Sequence, residues 1–173
     1  MPATVVWQED NGAATGSPAK GTTRANAPQV DWKSVDDITT PRASATIIAG
    51  NRSFEKFQFA RITGTFTQVS AGKFAHTAGV LGTGLTLVSK VTSSYTTPAV
   101  AAMSGSTNIT AVTPIASGAN VNFSTVGPEG ASPTSTLSAA GYSQYMATQL
   151  QTTNAAAAGP IGDQELTFQW NET

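Results

Sequence analysis

At 173 residues the chain fits one domain, and its charge is nearly balanced: 9 Lys and Arg against 10 Asp and Glu, with one His and no Cys. The absence of cysteine excludes a disulfide scaffold and a thiolate metal site, and a formal net charge of −1 leaves no electrostatic footprint for nucleic acid. With 11% charged residues and a single imidazole, the chain has few means to move protons, hold a metal or attack a bond, so it reads as a structural or interaction protein and not an enzyme.

The distribution of charge sharpens this. The last cation is Lys90, and from Val91 to Thr173 the only charged side chains are Glu129, Asp163, Glu165 and Glu172. A C-terminal half without cations cannot neutralise phosphates and is a poor match for an anionic membrane surface. No apolar window reaches the ~18 residues of a membrane span, and the first residues have neither a basic nor a long apolar region, so no secretory signal is expected.

In chain order, residues 1–50 read as an extended N-terminal arm. Residues 10–30 are small, polar and interrupted by Gly and Pro, a texture that opposes helix and long strand alike. Apolar residues come as isolated clusters: Val5-Val6-Trp7, then Val30 and Trp32, then Ile47-Ile48. Val5, Val6, Trp7, Val30 and Trp32 are therefore the candidate anchors of an arm lying over its own domain or over a neighbouring subunit.

Residues 51–173 read as a β-domain. In 54–62, Phe57 and Phe59 fall on one face and Gln58 on the other, and 63–69 continues that strand around Gly64. Ala71-Gly72 predicts a turn before a short strand at 73–76, and Gly79, Gly82 and Gly84 predict a loop. Leu85, Leu87, Val91 and Tyr95 share one parity, as a half-buried strand requires. Residues 96–118 read as loop, Val121 and Phe123 as a strand, 142–153 as another, and 154–162 as a turn broken by Gly159-Pro160. In the last segment Leu166, Phe168 and Trp170 point in, while Glu165, Thr167 and Gln169 point out. The fold expected is all-β, an antiparallel β-sandwich of jelly-roll-like or Ig-like type with an extended N-terminal arm.

Candidate chemistry is sparse. His76 stands without partners for a triad or a metal site and reads as a structural histidine. Asp31, Asp36, Asp37 and Glu129 lack the spacing of a calcium loop, and Gly79–Gly84 lacks the Lys-Ser/Thr of a phosphate loop. Trp7, Trp32 and Trp170 are better placed as core and arm anchors than as a sugar platform. No catalytic residue, cofactor or metal is expected.

Several phrases carry a resemblance: Val30-Asp31-Trp32-Lys33-Ser34-Val35-Asp36-Asp37, Ser53-Phe54-Glu55-Lys56-Phe57-Gln58-Phe59, Gly64-Thr65-Phe66-Thr67-Gln68-Val69-Ser70, Tyr142-Ser143-Gln144-Tyr145, and the closing Leu166-Thr167-Phe168-Gln169-Trp170-Asn171-Glu172. From about residue 30 to the end the chain resembles small virion structural proteins of tailed bacteriophages. The resemblance implies a virion component and leaves head decoration, neck and tail appendage open. Taken with the arm and the lack of chemistry, the expectation is a capsid decoration or cement protein. Its partners would be the major capsid protein or other virion proteins. It would be a homo-oligomer with a trimer favoured, assembled in the host cytoplasm, with no nucleic-acid or membrane partner. A neck, tail or baseplate accessory protein and a carbohydrate-binding or adhesion module are the alternatives.

Overall fold

The computed structural model describes residues 2–37 and 39–173; Met1 and Ile38 lie outside it. The described residues form twelve strands: β1 (Thr4–Thr15), β2 (Lys20–Ala25), β3 (Lys56–Thr63), β4 (Val69–Ala78), β5 (Leu85–Thr92), β6 (Thr107–Asn108), β7 (Ala119–Val121), β8 (Phe123–Ser124), β9 (Thr136–Leu137), β10 (Gly141–Ser143), β11 (Tyr145–Thr152) and β12 (Glu165–Glu172). Its helices are single 3-10 turns at Arg42–Ser44 and Ile115–Ser117.

The strands make two antiparallel sheets. The larger has eight strands, ordered β2-β1-β3-β11-β5-β6, with β10 and β8 appended beside β3; the smaller is ordered β12-β4-β7, with β9 on β4. Alternation places the core between them. Ala60 and Ile62 of β3 and Met146 of β11 meet Phe74 of β4, Val121, Phe123, Leu137 and Phe168, and Val5 and Trp7 of β1 pack at the margin. The fold is an all-β sandwich.

The larger sheet is buried on both faces over much of its length. Its outer face carries a second cluster, Phe57, Phe59, Val88, Tyr145 and Ala147, closed over by Tyr95 and Met103. Tyr145 and Met146, neighbours on β11, thus both point inward, to different cores. Gln149, fully buried, fastens the outer covering: its Nε2 donates to Ala101 O at 2.8 Å and Ser53 O at 3.1 Å, and its Oε1 accepts from Met103 N at 3.2 Å.

Two local readings change. Residues 4–25, expected within an extended arm, form a hairpin built into the larger sheet, with β1 paired to β3 from Thr4↔Thr63 to Asp10↔Phe57. Pattern alone assigns Glu9, Asp10 and Asn11 to solvent, yet all three are buried and partnered, and Gly12 and Gly16 supply the positive φ that the bent hairpin needs. The irregular part of the first fifty residues is the strap from Asn26 to Glu55. Ala71-Gly72, expected as a turn, is instead a bulge inside β4: β12 pairs Gln169↔Lys73 and Asn171↔Ser70, so two residues oppose Trp170 alone, and Ala71 has φ +53°. The turn falls earlier, at Gly64–Gln68, where Gly64 has φ +106°.

Candidate functional site

Most of the ionisable groups in the first half of the chain fasten it to itself. Lys56, 1% exposed, lies 3.8 Å from Glu9 and 3.6 Å from Asp36, and its Nζ donates to Asn11 Oδ1 at 3.4 Å. Glu9 Oε2 is buried without a hydrogen-bond partner, and burial pushes the Glu9 carboxyl above its usual range against the downward pull of Lys56. Asp36 also accepts from Gly12 N at 2.7 Å, which ties strap to hairpin. Lys33 is buried too; its ammonium donates to Asp37 O at 2.6 Å, Thr40 O at 2.9 Å and Asp37 Oδ1 at 3.2 Å. The hydroxyl and amide of Thr40 donate to Asp37 and, with Lys33, hold its carboxyl well below the usual range. Asp31 takes Arg42 at 2.7 Å and Arg24 at 3.9 Å. Of the carboxylates considered together from sequence, Asp31, Asp36 and Asp37 therefore serve separate partners.

The expected anchors divide. Val5 and Trp7 pack on the intersheet core, Trp7 edge-on to Phe168 with ring centroids 6.1 Å apart. Val6, paired with Arg61, lies on the opposite face of β1, and Val30 is half-buried in the strap. Trp32 donates its indole N–H to Thr148 Oγ1 at 3.1 Å, which docks the strap on β11. Val5 and Trp7 thus share one face of β1 and Val6 the other, while Trp32 docks separately on β11. Trp170 stacks at an angle on Phe168, 5.4 Å away. His76 is fully buried; its Nδ1–H donates to Ile109 O at 2.9 Å and its Nε2 has no partner.

Two surface features involve none of the expected anchors. The first is one end of the sandwich, where the loops 46–50, 79–84, 108–113 and 153–162 contain no charged side chain and Arg52, Asp163 and Glu165 stand at their margins. These loops are tied to one another and to adjoining strand ends: Thr152 Oγ1 donates to Ile48 O at 3.2 Å, Thr153 N to Gly84 O at 2.8 Å, Gln164 Nε2 to Val80 O at 3.4 Å and Thr113 N to His76 O at 2.9 Å. Ile48 is 70% exposed, Val80 85% and Val112 47%. Apolar side chains on an uncharged, hydrogen-bonded scaffold make a surface suited to another protein.

The second is a cleft of about 280 Å³ on the outer face of the larger sheet, floored by Phe59, Asp10 and Tyr142 and walled by Lys20, Arg61 and the loop Val126–Glu129. A neighbouring hollow of about 390 Å³ shares Glu129 and runs along Tyr95 and Ser93–Ser94. Asp10 is fixed at the base by Tyr145 Oη–H at 2.5 Å and Thr23 Oγ1–H at 2.6 Å. Burial, with that bond to Asp10, pushes the Tyr145 phenol far above its ordinary value, so it remains a donor.

Comparison with protein-family models, with curated proteins and with solved structures finds no match. Among the described residues no helix is long and apolar enough to cross a membrane.

Proposed function

We propose that the protein is a non-enzymatic structural component of a bacteriophage virion, a capsid decoration or cement protein that binds the major capsid protein lattice and stabilises it. The observation that carries this reading is the group of charge-free loops at one end of the sandwich, which expose Ile48, Val80 and Val112. Interface cores are depleted of charge, and a modest contact repeated many times over a symmetric particle gains strength by avidity. The internal charge fastenings of hairpin and strap suit a protein that must persist outside the cell. A homotrimer at local threefold positions is the assembly proposed, with light scattering on the purified protein as its check.

The test is quantitative mass spectrometry on virions with heads and tails separated, using a second protease because no Lys or Arg follows Lys90. Hundreds of copies travelling with heads are expected. Copies in about a dozen or fewer, travelling with necks or tails, would move the protein to a neck, tail or baseplate role, because such parts lack the lattice repeat that avidity needs. Absence from particles would overturn the virion reading. Ile48→Asp and Val80→Asp should abolish head binding while leaving the melting temperature unchanged, since both side chains are exposed.

A further inference from the structure

The outer cleft shares no residue with the loop end that bears Ile48 and Val80, and its chemistry differs. Strand register builds it. Gln8 faces Phe59 across β1 and β3, Arg61 faces Tyr142 across β3 and β10, and Asp10 faces Thr23 across β1 and β2, so all six side chains lie on one face. Phe59 is buried beneath Tyr142, with ring centroids 6.2 Å apart, and Tyr142 is left half-exposed.

Among the described residues, Arg61, Lys20 and Glu129 have neither an ion pair nor a side-chain hydrogen bond, unlike Lys33, Lys56, Asp31 and Asp37. Glu129 is held against bare backbone: a Cβ on Gly127 would meet its carboxylate oxygens at 2.8 Å. The cleft therefore presents two uncommitted cations, one uncommitted carboxylate and an aromatic face over a floor whose own carboxylate is already satisfied.

This set selects its ligand. Glu129 at the rim and Asp10 at the base offset the two cations, which disfavours a compact dianion such as phosphate. One carboxylate on the ligand suits the fork of the Arg61 guanidinium. Hydroxyl groups suit Glu129 and Gln8 as acceptors, and a ring with a weakly apolar face suits Tyr142. We infer that the cleft binds a carboxylated sugar residue, a uronic or a sialic acid, of a surface polysaccharide. This does not depend on where the protein sits in a particle.

The test is calorimetric titration of the full chain with trigalacturonic acid and with sialyllactose, each also as its methyl ester, and with inorganic phosphate. At least one acid should bind saturably. Esterification and Arg61→Ala should each weaken it about tenfold or more, the effect of losing a charge-assisted hydrogen bond. Arg61 is exposed, so its removal should leave the melting temperature unchanged, and Arg42→Ala, whose partner is Asp31 in the strap, should bind as wild type. Failure of both acids to bind at millimolar concentration, equal binding of the esters, equal binding of phosphate or of a glutamate-rich peptide, or indifference to Arg61→Ala would each overturn the proposal.

Discussion

Replacing Lys56 by Met tests whether the buried charges join hairpin, strap and sheet. The ammonium stands 3.8 Å from Glu9 and 3.6 Å from Asp36. At an effective dielectric of about 20, each attraction is about 4 kcal/mol before desolvation is subtracted. Methionine fills nearly the same volume, so the perturbation is electrical: two carboxylates remain buried with no cation between them. Breaking a buried pair from one side costs about 3–5 kcal/mol. For a chain of this size that lowers the melting temperature by roughly 6–20 °C. The pH dependence has a definite sign. Burial already raises the Glu9 pKa, so the folded state holds that proton more tightly than the unfolded state. The stability Glu9 contributes is present below its unfolded pKa, about 4.3, and is lost as pH rises through the folded value. Loss of Lys56 raises that folded value further, so the deficit of the variant is greatest at neutral pH and narrows on acidification. Urea denaturation of both proteins from neutral pH down to about pH 4 reads it. A deficit under about 1 kcal/mol, the range of a surface pair, or one that does not narrow in acid, would refute the reasoning.

Gln149→Leu leaves Met103 N and the carbonyls of Ser53 and Ala101 without their buried partner, and should destabilise by about 3 kcal/mol or more in the same assay. In Gly21→Ala the new methyl would collide with the Tyr95 hydroxyl and stand 2.5 Å from Asn11 O. The expected cost is about 1–3 kcal/mol, with faster hydrogen exchange in β1 and β2 than in β4 and β12. Asp37 has the opposite sign to Glu9, because its pKa is lowered by Thr40 and Lys33. Its contribution is present above the unfolded value of about 3.9 and is lost as pH falls through the folded one, so the advantage of wild type over Asp37→Asn should vanish in strong acid.

Strands with strict alternation and one wet side were legible from sequence. β12 announced Leu166, Phe168 and Trp170, and Phe57 and Phe59 were rightly set on one face of β3. Residues 154–162 were read as turn against their alanines because Gly159-Pro160 ends a helix. Hydropathy could not show that the other face of the larger sheet is also covered. Gln149 looks like a solvent position, yet it is buried there with its hydrogen bonds made by loop backbone, and on the intersheet face beyond the core Gln58 and Thr148 are buried under the strap, bonded to Ala27 O and to the Trp32 indole. The same blindness hid β1, whose run Glu9-Asp10-Asn11 is paid for by Lys56, Tyr145 and Thr23, residues far away in sequence. The cleft was illegible because its parts, Lys20, Arg61, Glu129 and Tyr142, become neighbours only through strand register and a loop of no distinctive composition. Trp7 and Trp32, the aromatic residues that drew notice, are occupied elsewhere.

The middle strand of the larger sheet is synthesised well after both of its neighbours. β11 stands between β3 and β5 and ends at Thr152, so neither of those strands has its shared neighbour until that residue has been reached. Until then the faces carrying Phe57, Phe59, Leu87 and Val88 stay open to water. Closure of such distant pairings is slow, and exposed strand edges invite association with other nascent chains. The centre of the larger sheet therefore closes only once β11 has been made, and a message truncated before Tyr145 keeps the β2-β1-β3 pairing but leaves β3 and β5 without the strand that joins them. During rapid synthesis of many copies, the demand this places on chaperones grows with the rate of translation.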